Sequence, residues 1–153
     1  MARAYVALGS NLGDREATIR AALEELAAAP GVAVVAVSSL VETEPVGYLD
    51  QPRFLNGAVA LETDLPPRNL LDLLLAVERG FGRLREGVPA QGPRTLDLDL
   101  LLYEDLELDE EGLQIPHPRL HERSFVLGPL VELDPAIQVP RKGQVHSLLA
   151  KLY

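Results

Sequence analysis

The chain has 153 residues, of which 47% are hydrophobic and 24% charged, and its 23 acidic and 14 basic residues give a net charge of −9. These values are typical of one globular domain, which we assign to residues 1–153, and they argue against a general binder of nucleic acid or anionic membrane. Because the sequence contains no cysteine, disulfides, thiolate metal sites and thiol catalysis are excluded.

The sequence also lacks the signals of a membrane or exported protein. No apolar run approaches the roughly 20 residues of a membrane span. The first residues lead straight into a strand-like run without the apolar core of a signal peptide. We therefore expect a soluble cytoplasmic monomer whose partners are neither nucleic acids nor membranes.

The first half of the sequence predicts one helix and three strands. The strands are predicted at residues 5–8, 32–40 and 54–62, the helix at 14–28, and a loop at 42–53. Gly9 closes the first strand, while Pro30 and Gly31 stop the helix. In the third strand the alternation slips near Gly57, which indicates a bulge.

The second half begins with another helix and ends in short elements. Its helix starts near residues 64–67 and ends near Gly80 and Gly82, with an apolar stripe of Leu70, Leu74, Val77 and Phe81. A long mobile loop is predicted at 82–93, a cleanly alternating strand at 95–103, and short pieces at 113–115, 124–133 and 145–152.

The order β-α-β-β-α-β predicts an α+β, ferredoxin-like sandwich with additional short C-terminal elements. In this arrangement both long helices pack on a single face of one antiparallel sheet. Many activities use this scaffold, so the function has to come from particular residues.

Two acidic residues, Asp97 and Asp99, alternate with leucines in the last long strand. Strand geometry puts their side chains on one face with Cα atoms about 6.5–7 Å apart. Carboxylates this close repel unless a cation lies between them, and Mg²⁺ commonly takes one or two carboxylates plus substrate phosphates. The alternative is a pair of acids that simply face water.

Arginines accumulate just before this strand. Arg79, Arg83, Arg85 and Arg94 face one acid, Glu86, which gives a local excess of +3 within a chain of −9. Guanidinium groups match phosphate oxygens, so beside the aspartates we favour a phosphate site over solvated arginines at a helix end.

His117 lies between two prolines, followed by Arg119, Arg123 and Phe125. A histidine held this way can donate a hydrogen bond to a phosphate or ribose, although a single histidine in a turn is more often structural. The six acids among residues 104–111 indicate a solvated turn.

Phe54 and Asn56 share one face of the third strand, so they could stack on and hydrogen-bond a flat heterocycle. From composition alone, an ordinary core Phe with a buried Asn is the better interpretation.

Taken together, these segments resemble 6-hydroxymethyl-7,8-dihydropterin pyrophosphokinases of the folate pathway. The matching segments are 7–13, 43–56, 82–85, 92–99 and 116–125, and the Gly-Pro-Arg-Thr-Leu-Asp-Leu-Asp run at 92–99 is the most specific. The resemblance implies a ferredoxin-like fold and transfer of diphosphate from ATP to the pterin hydroxymethyl group, with release of AMP.

The resemblance also implies residue roles. Asp97 and Asp99 would hold two Mg²⁺ ions, and both would be catalytic together with Arg83 and Arg94. The ATP-binding residues would be Glu78, Arg83, Arg85, Arg94, His117 and Arg123, and the pterin-binding residues Thr43, Val46, Phe54, Asn56 and Phe125. Gln91, Glu86 and Pro118 depart from common family residues, which leaves the ATP contacts of residues 86–91 open.

The rival functions are a non-catalytic metabolite-binding module and, more remotely, an RNA-binding sheet.

Overall fold

The computed structural model describes residues 1–11, 13–43, 53–81 and 96–153. Its strands are β1 (Ala2–Ser10), β2 (Val32–Val37), β3 (Val41–Thr43), β4 (Phe54–Thr63), β5 (Asp97–Tyr103), β6 (Leu108–Glu110), β7 (Leu113–Ile115), β8 (Gln138–Val139) and β9 (Gly143–Gln144). Its helices are α1 (Arg15–Ala28), α2 (Pro67–Gly80), α3 (Ser124–Leu133) and α4 (Val145–Ala150), with a 3-10 turn at Leu120–Glu122.

The central sheet has the strand order β2-β4-β1-β5, and every pairing in it is antiparallel. β1 pairs with both β4 and β5, whereas β3 pairs with the beginning of β4 beside β2. Together with the crossover helices α1 and α2, this order is the ferredoxin-like arrangement, so the predicted fold class is confirmed.

The two faces of the sheet carry different helices. On the first face, Ile19, Ala22 and Leu26 of α1 and Leu70, Leu74 and Val77 of α2 pack with Val6, Leu8, Val59 and Leu61 of the sheet. On the second face, α3 and α4 pack against a cluster that includes Ala58, Leu101 and Leu102. Both long helices therefore lie on one face, as predicted.

Helix α1 begins as its sequence predicts. Asp14 is the N-cap residue, and its side chain accepts a hydrogen bond from the Ala17 amide at 3.1 Å. Gly13 precedes it with a φ of +66°, a conformation that glycine adopts without strain.

Several predicted boundaries are wrong. β1 continues through Gly9 to Ser10 because it has a partner strand on each side. β2 ends at Val37 rather than at residue 40. Part of the predicted loop at 42–53 is strand β3, which forms through a non-local pairing with β4 that local turn residues do not reveal. The last helix ends at Ala150.

The pairing of β4 with β1 shows no bulge at Gly57, because it runs unbroken through this residue. A Cβ at Gly57 would lie only 2.7 Å from Cδ2 of Leu40, so close packing accounts for the glycine. Irregular pairing occurs instead in β2 between Val34 and Ala36, and between β1 and β5 beside Tyr5 and Val6. The alternation of β5 is therefore not clean.

Residues 104–111 are mostly exposed, as predicted, but Leu108–Glu110 forms strand β6 against β7 instead of a turn. The predicted loop at 82–93 and most of the one at 42–53 lie outside the described residues. Within the described ranges, no helix is long and apolar enough to cross a membrane.

Candidate active site

Asp97 and Asp99 lie at the beginning of β5, which is an edge strand of the sheet. Asp97 is opposite Gly9 of β1 and Asp99 is opposite Ala7, so both aspartates project from the second face, the face of α3. Asp97 is half-buried and Asp99 exposed. The pair thus has the predicted common orientation and stands beside the part of this face that α3 and α4 cover.

Gly9 joins the aspartates to the neighbouring strand β4. It is opposite Asp97 on one side and Asn56 on the other. A Cβ at this position would lie 3.1 Å from Asn56 Oδ1, 3.8 Å from Asp97 Cβ and 3.9 Å from Phe54 Cδ1. The missing side chain of Gly9 therefore leaves room for these three side chains, which all border the space above it.

Three predicted pterin residues, Thr43, Phe54 and Asn56, lie together on β3 and β4. Thr43 is opposite Phe54 in the strand pairing, and Asn56 Nδ2 donates a hydrogen bond to Thr43 Oγ1. Because this bond uses one amide hydrogen, the rest of the Asn56 amide retains donor and acceptor capacity. The corner can therefore offer an aromatic ring and an amide edge to one flat ligand.

Phe125, the fourth described pterin candidate, lies in α3. Its ring packs against the apolar cluster that contains Ala58, and the guanidinium carbon of Arg123 lies 5.7 Å from the ring centroid. This distance suits a cation–π contact. Arg123 and Phe125 therefore share one location although the sequence assigns them to different substrates.

His117 is held by its backbone and by its ring. Its amide donates to the Leu101 carbonyl at 2.9 Å, and its Nδ1 accepts from the Arg119 amide at 3.3 Å. Burial lowers the pKa of His117 from its ordinary value, Asp99 raises it, and Arg123 and Arg119 lower it. The ring is consequently neutral at pH 7, with the proton on Nε2, which makes it a hydrogen-bond donor beside Asp99.

Glu78 lies near the end of α2 and is only 2% exposed. Its Oε2 accepts a hydrogen bond from the Leu98 amide at 2.8 Å. Leu98 lies between the two aspartates on an edge strand. Its amide has no neighbouring strand to bond on that side among the residues that the structure describes, and the Glu78 carboxylate accepts its hydrogen bond instead. Glu78 thereby fixes β5 at the position of Asp97 and Asp99.

A cleft of about 600 Å³ opens on the outer side of β5. Three predicted site residues, Glu78, Asp99 and His117, line it. The rest of its wall consists of Leu71, Leu75, Leu98, Leu100, Asp109, Glu110, Glu111, Gly112, Leu113, Gln114 and Pro118. The cleft has an apolar wall of leucines and an acidic rim, because five of its lining residues are Asp or Glu.

The described site residues thus form a connected series from Thr43 through Asn56, Gly9 and Asp97 to Asp99 and His117. Arg83, Arg85, Arg94 and Val46 lie outside the described residues. Sequence reasoning missed Gly9 as the point where strands converge. The signal for it was present, because a glycine inside an apolar strand often marks a close approach.

The donor set suits a divalent cation that shares its coordination with a ligand. In the described part of the chain no three His, Asp or Glu side chains converge on one point. Two carboxylates on one strand face match the one or two that Mg²⁺ takes when phosphates complete its shell.

An antiparallel α+β sandwich with paired carboxylates beside a cleft and an oriented, neutral histidine defines a class of site suited to a metal ion that a phosphorylated ligand helps to bind. Residues 5–135 match the family described as 7,8-dihydro-6-hydroxymethylpterin-pyrophosphokinase (HPPK). The chain belongs to this family.

Bacterial relatives support the same assignment. A protein of Methylorubrum extorquens named 2-amino-4-hydroxy-6-hydroxymethyldihydropteridine pyrophosphokinase is 46% identical over 99% of this chain and 94% of its own length. A protein of the same name from Pseudomonas aeruginosa is 47% identical over 97% of this chain and 90% of its own. One from Bacillus subtilis is 51% identical over 85% and 77%.

Among solved structures, the chain is similar to wild-type HPPK-DHPS of Plasmodium falciparum crystallised with pteroate, with a TM-score of 0.77 and 14% sequence identity. The match covers 98% of this chain but 44% of the Plasmodium chain, so our chain spans less than half of that larger protein. At this identity the likeness concerns the fold alone.

Proposed function

We propose that this protein transfers diphosphate from ATP to the hydroxymethyl group of 6-hydroxymethyl-7,8-dihydropterin, releasing AMP, as a pyrophosphokinase of folate biosynthesis. The observation that carries the proposal is the position of the two aspartates. Asp97 adjoins the Thr43, Phe54 and Asn56 corner through Gly9, whereas Asp99 lines the cleft on the outer side of β5. The carboxylates therefore stand between two candidate substrate sites.

The outer cleft is the proposed nucleotide site. Leu71, Leu75 and Leu98 offer apolar walls to an adenine ring, and Glu78 lies where it can face the base or ribose. The neutral His117 donates from Nε2, and Arg123 supplies a positive charge beside Phe125. These groups bind and orient ATP without accepting a proton from the reaction.

The corner on β3 and β4 is the proposed pterin site. Phe54 and Phe125 stack around the ring, Asn56 bonds its edge, and Thr43 holds the Asn56 amide in place. Val46, outside the described residues, is proposed to complete this site. A flat, polar-edged heterocycle requires this combination of aromatic faces and amide groups.

Catalysis is proposed to depend on positioning and charge neutralisation. Asp97 and Asp99 would hold two Mg²⁺ ions, which neutralise the triphosphate and orient it when bound. Arg83, Arg85 and Arg94 would contact phosphates, with Arg83 and Arg94 catalytic. The pterin hydroxyl oxygen forms a bond to the β-phosphorus, the bond from that phosphorus to the α,β-bridging oxygen breaks, AMP leaves, and the hydroxyl proton passes to water.

The direct test is to mix the protein with Mg-ATP and 6-hydroxymethyl-7,8-dihydropterin and to identify the products. AMP and the pterin diphosphate in equal amounts support the proposal. ADP as the nucleotide product would mean transfer of a single phosphoryl group. Saturable binding of both substrates without AMP would instead support the rival function, a non-catalytic metabolite-binding module.

Three further assignments rest on the same reasoning and stay predictions. We propose that residues 1–153 form a single pyrophosphokinase domain, that it is a monomer, and that it acts in the cytoplasm. Size-exclusion chromatography with light scattering tests the oligomeric state.

A further inference from the structure

Arg15 has an unusual position for a basic residue. It is the first residue of α1, where the helix dipole favours acidic side chains over basic ones. Its side chain is nevertheless only 28% exposed, compared with 71% for Arg20 five residues later in the same helix. This difference indicates that Arg15 is held by tertiary contacts.

Those contacts join two strands. Arg15 Nη2 bonds Glu42 Oε1 at 2.5 Å, and Nη1 donates to the Arg53 carbonyl at 2.8 Å. Glu42 belongs to β3, and Arg53 immediately precedes β4. Both bonds come from one rigid, planar guanidinium, so they tie the adjoining ends of β3 and β4 together in addition to the backbone pairing of the two strands.

Arg15 and the proposed pterin residues lie on opposite faces of these strands. Glu42 pairs with Leu55, which packs into the core on the side of α1 and α2. Side chains alternate along a strand, so Thr43, Phe54 and Asn56 project from the other face. Arg15 therefore acts from behind the site and is not in a position to touch a ligand bound there.

The hydrogen bond from Asn56 to Thr43 crosses between the same two strands. Its geometry depends on how β3 lies against β4, which the Arg15 contacts reinforce beside the backbone pairing. The Arg15 hydrogen bond and charge hold the pKa of Glu42 below its ordinary value, so the carboxylate is ionised at neutral pH.

We propose that Arg15 is a positioning residue for the pterin substrate, which it serves by clamping β3 to β4 so that Thr43, Phe54 and Asn56 keep their spacing. The inference rests on the proposed function and adds to it a residue that the sequence did not single out.

Steady-state kinetics of Arg15→Ala and Arg15→Lys test the proposal, with Arg20→Ala as the matched control. Arg20 bonds Glu16 at 2.5 Å within α1, so the control removes an equally short arginine–glutamate pair that does not reach β3 or β4. We expect Arg15→Ala to raise the KM for the pterin about tenfold, while kcat and the KM for ATP stay within about twofold. Arg15→Lys keeps the positive charge but cannot make both hydrogen bonds with one planar group, so we expect a smaller increase in the KM for the pterin.

Equal pterin KM values for Arg15→Ala and Arg20→Ala would overturn the proposal. An equal increase in the KM for the pterin and the KM for ATP in Arg15→Ala would overturn it as well. If Arg15→Ala fails to fold, Arg15→Lys and Glu42→Gln provide the same comparison. Amide exchange at residues 41–43 and 54–56 should be faster in Arg15→Ala than in Arg20→Ala, and equal exchange would contradict the clamp without any activity measurement. A wild-type protein that releases no AMP would instead refute the proposed function.

Discussion

At the residue scale, Asp97 and Asp99 have different surroundings despite their common orientation. Asp97 is half-buried against Gly9, and Asp99 is exposed beside the cleft and close enough to His117 to influence its pKa. A carboxylate that holds a metal ion against phosphate charge in the transition state is worth several kcal/mol, whereas a solvated acid is worth almost nothing.

We expect Asp97→Asn to lower kcat/KM by at least about 100-fold at saturating Mg²⁺, because the amide keeps the shape but loses the charge. The rate of AMP release measures this effect. Asp105→Asn, an exposed acid in the turn after β5, is the control and should retain normal activity. Near-normal turnover by Asp97→Asn would mean that this carboxylate does not bind the metal.

Gly9→Ala should weaken pterin binding, because the added methyl group would meet Asn56 Oδ1 at 3.1 Å. Displacing Asn56 by a few tenths of an ångström corresponds to mild overpacking of about 1 kcal/mol, or roughly a fivefold higher KM for the pterin. Gly128→Ala in α3 is the control, since nothing lies within 4 Å of a Cβ there. An unchanged pterin KM in Gly9→Ala would place the pterin elsewhere.

His117 makes stability depend on pH. Its pKa in the folded protein lies below the unfolded value of about 6.5, so the unfolded chain binds more protons in the interval between them. The stabilisation is complete above pH 6.5 and is lost as the pH falls through the folded pKa. Urea unfolding from pH 7.5 to 5 should show this loss in the wild type.

The same series in His117→Gln should show a weaker pH dependence, whereas His146→Gln, at an exposed position in α4, should match the wild type. Identical pH profiles for all three proteins would mean that His117 has the same pKa in the folded protein as in the unfolded chain.

At the scale of elements, the edge strand β5 depends on a side chain of α2. Glu78→Ala leaves the Leu98 amide without its carboxylate acceptor, which should reduce the free energy of unfolding by about 1–3 kcal/mol. Glu78→Gln keeps an acceptor oxygen and should lose less. Urea titration and the exchange rate of the Leu98 amide measure both variants, and equal effects of Ala and Gln would show that the hydrogen bond contributes little.

Local sequence patterns predicted most elements but not the pairing that completes the site. The apolar spacing of α1 and α2 and the strand order were sufficient for the fold, because both follow from periodicity along the chain. β3 was missed because three residues have no periodicity of their own and pair with β4 across residues 44–53. Arg15 was missed for the same reason, since its partners are 27 and 38 residues away.

The sequence indicated candidate residues for the site but not how these residues are arranged in space. Asp97 and Asp99 share a face because two residues of one strand must, which needs no tertiary information. The approach of Asn56 and Asp97 at Gly9 depends on the register of three strands, and the proximity of His117 to Asp99 depends on how the segment after β7 folds back onto β5. These relations are properties of packing that spacing along one chain does not contain.

At the scale of the whole molecule, the larger apolar core and the pterin corner lie on opposite faces of the sheet, while the outer cleft is shared between β5 and α2. The larger apolar core lies between the sheet and the helices α1 and α2. The aspartates and the pterin corner project from the opposite face, where α3 and α4 contribute a second, smaller cluster. Part of the net charge of −9 comes from the exposed segment 104–111, and three acids of this segment, Asp109, Glu110 and Glu111, line the outer cleft.

This division of the sheet has an evolutionary consequence. Lineages that move between cold and hot habitats have to change melting temperature while conserving turnover, and here the apolar side chains between the sheet and α1 and α2 can be repacked provided that Arg15 and Glu78 keep their contacts with the strands. Adaptive substitutions should therefore accumulate at the buried apolar residues of α1 and α2, where an increase in the volume of one side chain is compensated by a decrease in its neighbour.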